Sequence, residues 1–153
     1  MPLTFQTEAL ADVRDEAAPL LRRHWQEIAL DRETVPLDPN WDAYAQIEAA
    51  GLMHITTARD ETGALVGYSA YFIAPNLHYQ SLVVAETDIF WLAPEHRQGL
   101  AGARLIKAAE AALAARGVNK VVSKVKMHFD TGPLFERLGY RAIERIYAKR
   151  LEG

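Results

Sequence analysis

The stretch Ile89-Phe-Trp-Leu-Ala-Pro-Glu-His-Arg-Gln-Gly-Leu-Ala-Gly-Ala-Arg-Leu-Ile106 decides the architecture. Its first residues are branched, aromatic and apolar, as a buried strand requires, and Pro94 ends the run because it has no ladder donor. A loop with Gly99 and Gly102 follows. Apolar and small residues then recur at three- and four-residue steps, at Ala101, Leu105, Ile106, Ala109, Ala112 and Leu113. The pattern predicts a strand passing through a tight turn into a helix over 100–116, which Gly117 closes. Small residues let the backbone curl so that several N–H groups point into one hollow. The helix start adds unpaired donors and partial positive charge. Such a turn can hold a phosphate or diphosphate, and it can equally be an ordinary strand-to-helix connection. It is neither a P-loop, which ends in Gly-Lys-Ser/Thr, nor a dinucleotide GxGxxG.

Outward from this segment the periodicity alternates between two and about 3.6. The strand extends upstream over 81–92, and two β-rich runs, 52–59 and 64–73, precede it. Asp60-Glu-Thr-Gly63 joins those two as a hairpin turn, and Pro75 and Asn76 end the second. Before them come a short strand over 3–7 and a helix over 12–30, in which Val13, Leu20, Leu21, Trp25 and Ile28 share an apolar face. Pro19 lies inside that helix and is expected to kink or split it. A loop over 35–40 offers Asn40 or Asp38 as cap to a second helix, 41–50, ended by Gly51. Downstream the expectation is a strand over 118–127, a short helix over 133–138, and one or two strands over 140–151. This order gives an α/β (α+β) fold with a central mixed β-sheet flanked by helices. With no repeat or linker, one domain over 1–153 is expected.

Composition excludes several classes of function. There is no cysteine, hence no disulfide framework, no thiolate metal site and no cysteine nucleophile. No metal is expected, because His24 and Glu27 lack a second ligand pair. No apolar stretch approaches the roughly 20 residues that span a bilayer. The first residues lack the basic start and apolar run of a signal peptide, so no membrane partner and a cytoplasmic location are expected. The net charge of −3 conceals an asymmetry: residues 1–95 hold 5 Arg/Lys against 15 Asp/Glu, and residues 96–153 hold 12 against 5. An acidic half beside a basic half suits a site that meets a polyanion on one side and a cation on the other. The basic excess is too scattered, and too poor in interleaved aromatics, for a nucleic-acid partner.

As a whole, the strand, proline turn and glycine-bearing helix start resemble the signature of the GNAT family of acyl-CoA N-acyltransferases, Arg/Gln-x-x-Gly-x-Gly/Ala. Arg97 and Gly102 fit its first and last places, with Leu100 where the middle glycine is expected. One residue earlier, Gly99 and Ala101 fit, and His96 takes the first place. Gly-Pro-Leu-Phe-Glu-Arg-Leu-Gly-Tyr at 132–140 is similar to the family's second signature, a short helix ending in a Leu-Gly-aromatic turn. His24-Trp-Gln-Glu-Ile28, the hairpin, Leu77-His78-Tyr79 and Asp88 resemble a branch of the family common in phage and prophage genomes. The resemblance implies a GNAT-like fold and transfer of an acetyl (acyl) group from acetyl-CoA to an amine of a small molecule or protein. Its alternative is a catalytically inactive acyl-CoA-binding or interaction module on the same fold. A nucleotide-phosphate binder is a third reading. Relatives often dimerise, which leaves room for a homodimer.

The same resemblance assigns roles. The backbone of Phe90, Trp91 and Leu92 would bond the pantetheine arm as an added strand would. Gln98, Gly99, Leu100, Ala101, Gly102 and Ala103 would offer N–H groups to the diphosphate, with Arg97 adding charge. Lys120, Lys124 and Lys126 are read as a solvated face with phosphate groups within reach, and His128 stands near the place of a cofactor-binding asparagine. Acceptor amines with a lysine-like pKa are protonated at neutral pH, so the reaction needs a proton acceptor. Two-residue alternation predicts that Glu86, Asp88, Phe90 and Leu92 share one face of the strand. Asp88 is the first candidate base, Glu86 the second, and His78, in the loop entering the strand, the third. His24 and Glu27 are expected to form a surface pair. Many members carry a tyrosine acid where this chain has Phe135, leaving Tyr140 or Tyr147 for that role. The acidic first half suggests a cationic acceptor such as a polyamine, an aminoglycoside-like molecule or a protein amine.

Overall fold

The computed structural model describes residues 2–152. Among these, the elements run β1 (Thr4–Thr7), α1 (Leu10–Ile28), α2 (Trp41–Ala49), β2 (Met53–Arg59), β3 (Leu65–Pro75), β4 (Val83–Leu92), α3 (Ala101–Ala115), β5 (Lys120–Val122) and α4 (Gly132–Arg137). The five strands form one sheet in chain order, antiparallel from β1 to β4 and parallel between β4 and β5. It is the mixed α/β architecture read from the sequence.

Each face of the sheet is covered because each helix has one apolar stripe. Leu105, Ala109 and Leu113 of α3 are fully buried against Ala58, Val66, Leu92, Tyr71 and Ala85. On the opposite face, Leu10 and Val13 of α1 pack on Met53, Ile55 and Ala70, with Trp41 and Tyr44 of α2 beside them. The caps follow local chemistry. Asn40 rather than Asp38 caps α2, its Oδ1 accepting from the Ala43 N–H at 3.0 Å. The start of α1 has no capping side chain of its own. Glu48 of α2 accepts from the Leu10 N–H instead, at 2.8 Å.

Three expectations are corrected. Pro19 neither splits nor ends α1, which is one 19-residue helix. The proline faces solvent, while buried Val13 and His24 anchor the turns on either side of it to the sheet. The strand expected over 118–127 shrinks to three residues, followed by a lone bridge between Lys126 and Phe129. No strand forms among described residues 141–152, which are irregular and exposed. Alternation there gives no apolar face: Ile143, Tyr147 and Leu151 interleave with Arg141, Arg145 and Lys149, and Ile146 lies in the other set.

Candidate active site

β4 and β5 are joined for only three residue pairs, Val84 with Lys120, Ala85 with Val121 and Glu86 with Val122. Beyond them the Thr87 hydroxyl donates to the Val122 carbonyl at 3.1 Å, and β5 ends. The remainder of β4, through Leu92, is paired with β3 on one side and has no ladder partner on the other. An open strand edge of this kind can accept an extended ligand as an added strand. Ala93 donates towards β3, to the Val66 carbonyl. Alternation therefore turns the backbone groups of Leu92 and Phe90 towards the gap.

At the end of that edge the chain makes one 3-10 turn, Pro94–His96, and reaches α3. Gly99 adopts φ +59°, in the left-handed region that favours glycine, and so allows the turn into the helix. α3 begins without a capping side chain or an acidic residue in its first turn. The Ala101 N–H reaches the Gln98 carbonyl at 3.4 Å and the Arg104 N–H bonds the Leu100 carbonyl, leaving Gly102 and Ala103 as the open donors between them. A Cβ on Gly102 would sit 3.3 Å from Leu134 of α4, so its absence lets the two helices approach. This is a bare helix N-terminus beside a free strand edge, suited to an anion and its extended tail.

Arg97 holds the carbonyl at the far end of that strand edge and reaches from there to α1, not to the start of α3. Its Nε donates to the Leu92 carbonyl at 2.7 Å and its terminal nitrogens bind the Glu27 carboxylate at 3.1 and 2.5 Å. The Arg97 guanidinium holds the Glu27 carboxyl below its ordinary range. Glu27 also accepts from the Trp91 indole at 2.9 Å, and His24 stacks on that indole while bonding the Tyr68 hydroxyl. The expected His24–Glu27 surface pair is thus replaced by a network with His24 buried, its pKa lowered by burial to about 4. Sequence reading missed it because its partners lie 44 to 70 positions apart.

The face of β4 changes at Asp88. Thr87 pairs with Tyr71 and Ile89 with Ala70, so Asp88 is the extra residue of a β-bulge. Ala85 lies in the core under α3 and Ile89 in the core under α1 and α2. Beyond the bulge, Phe90 and Leu92 pack on the α3 side. The single face expected for Glu86, Asp88, Phe90 and Leu92 is therefore broken in two: the bulge carries Phe90 and Leu92 to one side and keeps Asp88 with Ile89 on the other.

Asp88 opens into a cavity of about 450 Å³ between α1, α2 and the sheet. The Tyr44 hydroxyl donates to its Oδ2 at 2.7 Å. Burial raises the Asp88 pKa above the ordinary carboxylate range, with the Tyr44 hydrogen bond and the Lys124 charge opposing the shift. The other two candidate bases are differently placed. Glu86 is half exposed and paired with Lys124 at 3.3 Å. His78 is exposed in the turn between β3 and β4, where its N–H bonds Asn76. At about 3.3 Å per residue, the strand alone puts roughly 16 Å between Val83 and Asp88. Tyr44 was not legible as a partner of Asp88 from the sequence.

Phe135 is buried, edge-on to Phe90 and Tyr140. The Tyr140 hydroxyl donates to Glu110 at 2.8 Å, and Tyr147 is 87% exposed. His128 Nε2 donates to the Ile28 carbonyl at 2.9 Å, and Lys126 lines the Asp88 cavity. Among the described residues no group of three His, Cys, Asp or Glu could hold a metal ion, and no helix is long and apolar enough to cross a membrane.

Residues 11–140 match the model of the acetyltransferase (GNAT) family. The fold is similar to that of a ribosomal-protein-alanine N-acetyltransferase from Brucella melitensis biovar Abortus 2308, at 22% identity and TM-score 0.73 over 99% of this chain and 100% of that one. It is similar to an aminoglycoside acetyltransferase from an uncultured soil metagenomic sample, at 15% identity and TM-score 0.77 over 99% and 100%. It is also similar to a predicted acetyltransferase with acetyl-CoA from Clostridium acetobutylicum, at 11% identity and TM-score 0.70 over 98% and 97%. No curated protein matches the chain.

Proposed function

The chain belongs to the GNAT acetyltransferase family, and from that premise we propose that it is one N-acetyltransferase domain moving the acetyl group of acetyl-CoA directly to an amine. The observation that carries this reading is the joint geometry of the free β4 edge, the bare start of α3 and the carboxylate at the bulge. The diphosphate of acetyl-CoA lies on the amides of Gly102 and Ala103, and its pantetheine arm runs along Phe90 and Leu92. The thioester then sits near Asp88, two residues upstream. Arg97 braces the Leu92 carbonyl and so fixes the edge on which the arm rests.

The acceptor arrives as an ammonium. The Asp88 carboxylate takes one proton, and burial, which disfavours its charged form, makes it a better base than an exposed aspartate. The freed nitrogen attacks the thioester carbonyl carbon, and the C–N bond forms. The C–S bond then breaks with its electron pair on sulfur, and one of the two protons left on nitrogen passes to solvent, the other staying as the amide N–H. A thiol with a pKa near 8.5 leaves as thiolate without an acid, which suits a site with Phe135 where a tyrosine would stand. With no cysteine in the chain, no thiol carries an acyl-enzyme, and both substrates are held at once.

The alternative is an acyl-CoA-binding module without catalysis. Phe135 favours it, because neither that ring nor Tyr140, engaged with Glu110, offers a free proton to the sulfur. The test is thiol release from acetyl-CoA across a panel of amines, with calorimetry of acetyl-CoA binding alongside. Turnover that Asp88→Asn suppresses supports the enzyme. Binding without turnover on any amine supports the module, and binding of ATP in preference to CoA overturns both.

A further inference from the structure

The cavity at Asp88 has a chemistry of its own. Its walls come from three places: Val13 and Trp25 of α1, Val35 and Leu37 of the following loop with Trp41 of α2, and the aliphatic floor of β2 and β3. Among the polar groups that line it, most are already engaged. The Thr57 hydroxyl donates to the Glu8 carboxylate, with the Gln6 carbonyl also in reach, the Tyr68 hydroxyl bonds His24, and the Tyr44 hydroxyl donates to Asp88. The charged groups on its wall are Asp38, Asp88 and Lys126, leaving one net negative charge. A polycation brought into such a space would bury more positive charge than the one net negative charge of its wall can balance, and uncompensated buried charge is strongly unfavourable. One ammonium on an apolar body fits the balance. Its size falls within the roughly 300–1,000 Å³ of small-molecule sites.

We propose that the acceptor is a lipophilic primary monoamine, with an aromatic or branched aliphatic body seated between Trp25, Trp41 and Val35 and its single amine at Asp88. This rests on the acetyl-transfer reading for its chemistry and on the cavity walls for its specificity. It narrows the cationic acceptors suggested by the acidic first half of the chain. The apolar lining and the Lys126 charge favour a monoamine over a polyamine or an aminoglycoside. The side-chain packing that lines the cavity brings together residues from positions 10 to 126, which is why charge counting along the sequence pointed to a more cationic acceptor.

The test uses 2-phenylethylamine and 3-methylbutylamine against spermidine, kanamycin and an alanine-ended peptide. Two readouts are taken: thiol release from acetyl-CoA, and quenching of tryptophan fluorescence, to which Trp25 and Trp41 in the cavity wall report. The expected result is a kcat/KM for the two lipophilic amines at least about tenfold above that for any of the others. The ratio is expected to collapse in Trp41→Ala through KM for the amine, with KM for acetyl-CoA unmoved. Should that variant fail to fold, Val35→Asp, at an exposed loop position on the cavity wall, is expected to shift preference towards spermidine. Preferred turnover of spermidine, kanamycin or the peptide overturns this inference and leaves the acetyltransferase intact. Saturable quenching by 2-phenylethylamine without turnover overturns the acetyltransferase and leaves the ligand class standing. Neither quenching nor turnover overturns both.

Discussion

Asp88→Asn exchanges one oxygen for an amino group and keeps the shape of the side chain. The amide oxygen still accepts from the Tyr44 hydroxyl, so the contact between α2 and β4 survives. What disappears is the proton acceptor. Positioned general bases contribute about 10²–10⁴-fold, so kcat/KM should fall by about that factor, or about 3–5 kcal/mol of barrier. Stability should move the other way. Burial raises the folded-state pKa of Asp88 above its unfolded value, so ionising it works against the fold. That effect is absent below the ordinary carboxylate range, grows as pH climbs through it to the raised value, and is constant above that value. Removing the charge should therefore leave the thermal midpoint at pH 7 equal or higher. The assay is thiol release from acetyl-CoA as a function of pH, with a thermal melt of each protein. The variant must capture an amine that is already deprotonated, so its residual rate should climb about tenfold per pH unit below the amine pKa. A variant that keeps its rate within about threefold of the parent, against the minimum expected of a base, refutes Asp88 as the proton acceptor.

Three further outcomes follow from other parts of the molecule. Ala103→Asp adds a carboxylate to the first turn of α3, which should stabilise the helix by about 0.3–1 kcal/mol while repelling the diphosphate. Calorimetry should show weaker acetyl-CoA binding in a protein that melts no earlier. In Gly67→Ala the new Cβ would lie 2.7 Å from Leu92 Cδ1 and 2.9 Å from the Trp91 carbonyl oxygen, a backbone atom that cannot rotate away. Overpacking of about 1–3 kcal/mol should lower the melting midpoint by about 2–12 °C and, by displacing the end of β4, raise KM for acetyl-CoA. Glu8, bonded to Arg59 at 2.8 Å and to Thr57, has its pKa lowered to about 2, chiefly by Arg59. Its contribution is complete above the unfolded value near 4.5 and lost as pH falls towards 2, so Glu8→Gln should cost about 2 kcal/mol at pH 7 and flatten the acid limb of the denaturation curve.

The parts of this molecule that were legible in the sequence are those fixed by near neighbours. Pro94, Gly99 and the three- and four-residue steps from Ala101 to Leu113 located the strand, the turn and α3 to within a residue or two. Asp60 to Gly63 gave the hairpin, and Asn40 the start of α2. What escaped was decided across the fold. A bulge is set by how β4 fits β3, so nothing around Asp88 in the chain signals that alternation breaks there. Pro19 looked disruptive because a proline removes one helical bond, yet the packing of α1 on the sheet overrides that loss. His24 and Glu27 read as a solvent-facing pair at helical spacing, until Tyr68 and Trp91 from the sheet enclosed the histidine. The one or two strands expected over 140–151 do not form, because no face of that stretch is apolar.

The central claim, that a CoA thioester lies along β4 with its diphosphate on the start of α3, is tested most directly by amide hydrogen exchange with and without acetyl-CoA. Slowed exchange concentrated at Phe90, Leu92, Gly102 and Ala103 is the result predicted. Unchanged exchange at all four under saturating acetyl-CoA would contradict it.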